Sequence, residues 1–224
     1  MALNGPLMRL RAVCFAYEAA RPVLRGADME LRPGERVGMV GANGSGKTTL
    51  LHLMVGLLKP SAGEVEMFGR PRRAEADFWE VRARAGLLFQ DADDQLFSPT
   101  VAEDVAFGPL NLGRPREQVG AIVRSALGRL GLDGYEDRIT YKLSGGEKRL
   151  VSLACVLAME PEVLLLDEPV AGLDDETWER LAAILAALPL TMVVVSHDRR
   201  FLQRVVTRTV QLRAGRIEPC GMAS

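Results

Sequence analysis

Long apolar runs, paired cysteines and an excess of charge of either sign are all missing from this sequence. Each absence closes off a class of function. The most apolar stretch, LAAILAALPLTMVVV at residues 181–195, is interrupted by Pro189 and Thr191. A membrane span needs about 20 apolar residues, so a helix, a turn and a buried strand is the better reading. If the protein works at a membrane, other chains must do the spanning. A net charge of −1 leaves no electrostatic footprint for nucleic acid. Cys14, Cys155 and Cys220 are widely spaced with no CxxC pair, which argues against a zinc site or a disulfide scaffold and fits a reducing cytoplasm. The start, MALNGPLMRLRAV, has too short an apolar run for a signal peptide. No internal repeat or low-complexity linker is visible.

What is present is an α/β pattern. Hydrophobic residues make up 48% and charged residues 25% of 224, enough for one large domain or a core with a small subdomain. MRLRAVCFAY and VLRGADMEL alternate as strands do. In RPGERVGMVGANGSGKTTLLHLMVGLL, Pro33-Gly34 makes a turn and VGMV a buried strand. A helix follows, with Leu50, Leu51, Leu53, Met54, Leu57 and Leu58 at core spacing. SAGEVEMFG reads as turn and strand. Residues 91–158 read as mostly helical. Thr100 and Glu103 form a capping-box pattern, EQVGAIVRSALGRLGL is amphipathic, and Ser144-Gly145-Gly146-Glu147 opens a further helix. VLLLDE (163–168) and TMVVVSH (191–197) are continuous apolar runs with polar ends, the pattern of parallel strands buried on both faces. This order predicts a doubly wound core with an inserted helical subdomain.

The chemistry concentrates at strand ends. GANGSGKT, residues 41–48, matches G-x-x-x-x-G-K-[ST] between a strand and a helix. Its glycines let backbone N–H groups turn inward as an anion nest, and the helix N-terminus adds partial positive charge. Lys47 suits β- and γ-phosphate oxygens and Thr48 suits Mg²⁺. An ordinary Gly-rich turn would need neither residue. Asp167 and Glu168 end the VLLL strand and point to different sides, so Asp167 is expected to hold Mg²⁺ and Glu168 to act as general base. His197 ends the next apolar strand, where ligands of open α/β sheets bind, and is expected to contact the γ-phosphate. Ser144, Gly145 and Gly146 offer a second anion-binding helix start, the plainer alternative being a simple N-cap.

The set GANGSGKT, LLFQ, LSGGE, VLLLDEP, AGLD and SH, in that order, closely resembles the ATPase subunit of ABC transporters over nearly the whole chain. The resemblance implies an α/β P-loop NTPase (RecA-like) core with a mostly parallel sheet, an antiparallel β edge and an inserted α-helical subdomain. It makes 1–224 one domain, with a nucleotide-binding core at 1–90 and 159–218 and a helical signature subdomain at 91–158. ATP and Mg²⁺ are the implied ligands. Gly41, Asn43, Gly44, Ser45, Gly46, Lys47, Thr48 and Thr49 would surround the nucleotide, and Thr48, Gln90 and Asp167 the metal. Glu168, His197 and Gln90 would be catalytic. Tyr17 resembles the aromatic that stacks on adenine, against the alternative of a core strand tyrosine. Ser144, Gly145 and Gly146 resemble the signature segment, and Asp174 the loop coupling two opposed sites. Members pair head to tail, so each ATP would lie between GANGSGKT of one chain and LSGGE of the other. Every part is present here, so a homodimer is competent. Glu147, Leu150 and Val170 depart from the commonest pattern.

The stretch FQDADDQLFSPTVAEDVAFGPLNLG resembles the energy-coupling factor class, and within it the cobalt/nickel type. That implies a transmembrane coupling subunit, a substrate-binding membrane subunit, and an ATPase dimer peripheral to the cytoplasmic face of the membrane, with no nucleic-acid partner. Asp91, Asp93 and Asp94 would suit an arginine-bearing partner, with Leu96, Phe97 and Phe107 as apolar anchors. The alternative is a solvated acidic loop and a helix packed on its own subdomain. The chain ends soon after AGRIEP, which leaves no room for a regulatory C-terminal domain. A soluble ABC ATPase of DNA repair or translation would usually carry two cassettes or coiled-coil inserts. A P-loop nucleotide kinase or switch module would explain 41–48 but not LSGGE or His197.

Overall fold

The computed structural model describes residues 5–221, so the outermost residues of the expected 1–224 domain, 1–4 and 222–224, lie outside the described residues. The chain opens with β1 (Met8–Glu18) and β2 (Arg21–Leu31), then β3 (Arg36–Val40), α1 (Lys47–Met54), β4 (Ala62–Met67) and β5 (Arg70–Arg72). Next come α2 (Asp77–Arg84), β6 (Ala85–Leu88) and the helices α3 (Val101–Asn111), α4 (Arg116–Arg129) and α5 (Gly145–Leu157). The last third alternates: β7 (Val163–Asp167), α6 (Asp175–Ala187), β8 (Thr191–Val195), α7 (Arg199–Val205), β9 (Arg208–Arg213) and β10 (Arg216–Cys220).

Two sheets form. The larger has the order β10-β9-β3-β8-β7-β6, with parallel pairing everywhere except the β9–β10 edge. The smaller is antiparallel, in the order β2-β1-β4-β5. The mostly parallel sheet and the antiparallel β part are as the sequence implied. The antiparallel part is more than an edge, because it is a sheet of its own, linked to the larger one where Arg25 N–H donates to Gly215 O at 2.8 Å.

Burial follows pattern. Every residue of β7 and β8 is buried, as their unbroken apolar runs require. Side chains of opposite parity along these strands enter two cores. Leu164, Leu166, Met192 and Val194 join α3–α7 in one, while Val163, Leu165, Val193 and Val195 join α1 and the antiparallel sheet in the other. The topology decides where chemistry can sit. β8 lies between β3 and β7, so the segments leaving those three parallel strands emerge side by side, where open α/β sheets bind ligands.

Candidate functional site

The segment leaving β3 enters α1 through a loop that only glycine can form. Gly46, the N-cap of α1, has φ 104°, and a Cβ there would lie 2.6 Å from Val23 Cγ1. A Cβ on Gly41 would lie 2.6 Å from the Leu212 carbonyl oxygen. Lys47 is buried, and its Nζ donates to Gly41 O at 2.9 Å and Ala42 O at 3.1 Å. The loop thus holds an ammonium at a helix N-terminus, a ready anion site. Ser45 Oγ is buried with no hydrogen-bond partner, an orphan that a phosphate oxygen would satisfy.

The two carboxylates at the end of β7 have divergent surroundings. Asp167 faces α1, where Thr48 Oγ1 donates to its Oδ2 at 2.5 Å, and its Oδ1 is buried without a partner. Burial raises its carboxyl above the ordinary range, against the Thr48 bond and the nearby charges of His52, Lys47 and Arg149. Glu168 turns the other way. Its φ of 45° is left-handed, a conformation costing about 1–3 kcal/mol outside glycine and concentrated at functional sites. Its amide donates to Val195 O at 2.9 Å, which pins it beside β8. His197 N–H donates to Glu168 Oε2 at 3.2 Å, and His197 Nε2 lies 3.4 Å from the buried, unpaired Oε1. The His197 side chain is half exposed.

Among the described residues, no group of three or more His, Cys, Asp or Glu side chains could hold a metal. The Thr48 hydroxyl and the unpaired Asp167 oxygen nevertheless fit Mg²⁺, which prefers hard oxygen donors and takes much of its shell from phosphates and water.

A cleft of about 880 Å³ joins these parts, lined among others by Tyr17, Asn43, Lys47, Gln90, Glu168 and His197. Its volume suits a nucleotide. Tyr17 is 64% exposed, with its hydroxyl 3.1 Å from Thr49 Oγ1. The core-tyrosine alternative is excluded, and the ring is open to the cleft. Gln90 is exposed and also borders a neighbouring cavity of about 670 Å³, together with Thr48, Asp167 and Gly145.

The second glycine segment departs from expectation in one respect. Ser144 is the N-cap of α5 in a complete capping box: its Oγ accepts from Glu147 N–H at 3.3 Å and donates to Glu147 Oε2 at 2.9 Å. The hydroxyl is therefore engaged rather than free. Ser144, Gly145 and Gly146 do not line the 880 Å³ cleft. A Cβ on Gly146 would lie 3.2 Å from Thr177 Oγ1, and that hydroxyl donates to Asp174 Oδ2 at 2.8 Å, so the segment abuts the start of α6. Leu150 and Val170 are buried in the apolar core.

The acidic-apolar stretch after Gln90 divides. Leu96, Val101 and Val105 are buried in the chain's own core, which corrects the expectation of Leu96 as an outward anchor. Phe97 and Phe107 are exposed and pack edge to face at 4.8 Å. Asp91 caps a short 3-10 turn by accepting from Asp93 N–H at 2.9 Å. Asp93 pairs with Lys148 at 2.6 Å. Arg149, which no motif singles out, is buried and donates to the carbonyls of Phe89 and Gln90. Its signal in the sequence is faint: a cation four residues after Gly145 at the edge of an apolar helix run.

Comparison with known proteins gives a consistent picture. A family model described as ABC transporter matches residues 24–171. An energy-coupling factor transporter ATP-binding protein of Methanothermobacter thermautotrophicus is 43% identical over 94% of this chain and 69% of its own length. A nickel import ATP-binding protein of Rhodobacter capsulatus is 42% identical over 98% and 90%, respectively. Among solved structures, cbiO1 of Clostridium perfringens, described as part of the ABC transporter complex cbiONQ, superposes with a TM-score of 0.86. It is 33% identical and covers 97% of this chain and 89% of its own.

Proposed function

This chain belongs to the ABC transporter family as an ATP-hydrolysing subunit, and from that premise we propose that it powers an energy-coupling factor importer of cobalt or nickel ions. The nickel import relative supports the ion class, and the energy-coupling factor relative supports the transporter class. In this reading ATP occupies the 880 Å³ cleft, with its phosphates at residues 41–48 and its adenine against Tyr17. Thr48 and Asp167 hold Mg²⁺, with Gln90 beside them. Bound Mg²⁺ would neutralise charge on the β- and γ-phosphates. Glu168 accepts a proton from the attacking water, and His197 orients that carboxylate and senses the γ-phosphate.

The observation that carries the reading is Glu168 itself. Its Oε1 is buried without a hydrogen-bond partner, in a left-handed residue and 3.4 Å from His197 Nε2, which leaves it able to accept a proton from a bound water. General-base catalysis contributes about 10²–10⁴-fold, or roughly 3–5 kcal/mol of barrier. Glu168→Gln should lose that much turnover while still binding ATP, and Lys47→Ala should weaken binding itself. Wild-type turnover in Glu168→Gln would refute the base assignment.

We also propose that residues 91–158 act as a helical subdomain apart from the core at 1–90 and 159–218, and that a second ATPase chain closes head to tail on the cleft. Membrane partners would meet a groove of about 300 Å³ bordered by Leu57, Asp94, Phe97, Phe107 and Met159. Among the described residues no helix is long and apolar enough to cross a membrane. In this reading the subunit sits peripherally, at the cytoplasmic face, under a coupling subunit and a substrate-binding subunit.

A further inference from the structure

Arg149 is 6% exposed, a charge taken almost wholly out of water. It lies on α5 four residues after Gly145, hence on the same helix face. Its guanidinium donates to Phe89 O at 2.6 Å and to Gln90 O. Those carbonyls belong to the stretch leaving β6, where sheet pairing ends at Leu88. Two more bonds tie this stretch to α5: Gln95 Nε2 donates to Ser152 O at 3.0 Å, and Lys148 Nζ donates to Asp93 Oδ1 at 2.6 Å. Gln95 also turns back to accept from Phe89 N–H at 3.3 Å. Gln90, Gly145, Arg149 and Asp167 border one cavity.

We propose that Arg149 is a positioning residue for ATP hydrolysis, locking the backbone of Gln90 to the first turns of α5 so that both move as one piece. A planar guanidinium spanning two carbonyls fixes orientation as well as distance, which an ammonium cannot do. Because the group is buried, releasing either carbonyl leaves a desolvated charge short of partners, so the link resists breaking. The exposed Lys148–Asp93 pair contributes far less. A displacement of α5, which begins at the signature-like glycines, is thereby passed to the glutamine beside Thr48 and Asp167. The inference rests on the reading of Gln90 as a residue of the ATP site.

The test is a double-mutant cycle on the purified full chain at saturating Mg²⁺ and ATP, comparing wild type, Gln90→Ala, Arg149→Met and the double variant. Arg149→Met should lower kcat by about 10- to 100-fold, the scale of a misplaced active-site group, with KM for ATP nearly unchanged. The double variant should be no slower than Gln90→Ala, since the arginine acts through the glutamine. Losses that multiply would overturn the proposal. Wild-type kcat in Gln90→Ala would also overturn it, but through its premise, and is told apart because that single variant alone reveals it. Arg149→Lys, which keeps the charge but lacks the planar fork, carries the same cycle if Arg149→Met does not fold. Full activity in Arg149→Lys would reduce the role to charge alone and sink the positioning claim.

Discussion

Two adjacent carboxylates acquire different chemistry because a strand ends between them. Asp167 is still in β7 and points at Thr48, whereas Glu168 has left it in a left-handed turn and points at His197. Glu147 shows the same dependence of role on surroundings within a helix cap. Its carboxyl is held below the ordinary value of 4.5, first by the Ser144 backbone N–H, then by the Tyr135 hydroxyl, the Ser144 hydroxyl and Arg138. It also complements the positive end of α5. A carboxyl with a depressed pKa stabilises the fold above its unfolded value and loses that contribution as pH falls through the folded one. Glu147→Gln can keep the capping box but not the charge. At pH 7 it should cost roughly 0.5–1.5 kcal/mol, about 1–6 °C in Tm for a chain of this size. The gap to wild type should close as pH drops below about 4.5. A melting difference that stays constant with pH would rule out the charge as its source.

At the scale of elements, strongly patterned segments were legible and short ones were not. β7 and β8 could be read because five consecutive buried residues leave no alternative in an apolar run. β6 could not: Ala85–Leu88 is a four-residue edge strand with no alternation, defined only by pairing with β7. α2 was equally hidden, since only Phe78 and Val81 of its eight residues are buried. In the site, glycines, Lys47 and the strand-end carboxylates carry their chemistry in residue type and order. Arg149 does not, because its role comes from two carbonyls 59 and 60 residues away. The stretch after Gln90 failed in an instructive way. Composition alone cannot say which apolar residues face inward, and Leu96 turned in while Phe97 turned out. The exposed Phe97–Phe107 pair is therefore where docking can be tested without unfolding the chain. Phe97→Ser with Phe107→Ser should leave Tm and basal ATPase activity within error, as surface changes usually do. The same pair of changes should abolish co-purification of the membrane chains that accompany tagged wild type. Retention of those chains would move the docking surface elsewhere.

The whole molecule presents two glycine-led helix starts that do not share a cleft. α1 opens onto the 880 Å³ cleft, while Ser144–Gly146 at the start of α5 lies outside it. Bringing α5 of the same chain over its own Lys47 would mean pulling the Gly146 region off Thr177 and breaking the Arg149 link. A second copy, turned head to tail, could supply its α5 start at no such cost, and its cleft would be completed in return. That arrangement makes hydrolysis second order in protein at low concentration. Turnover per chain should therefore rise with protein concentration and level off as dimers saturate. Glu168→Gln with ATP and Mg²⁺ should elute at twice the mass of the 24.4 kDa chain, because closure persists when hydrolysis cannot end it. Adding Gly145→Asp should return the complex to monomer mass, since a carboxylate at that helix start would repel the γ-phosphate. A per-chain rate independent of concentration, with Glu168→Gln monomeric in ATP, would mean that one chain closes its own site and that the paired arrangement is wrong.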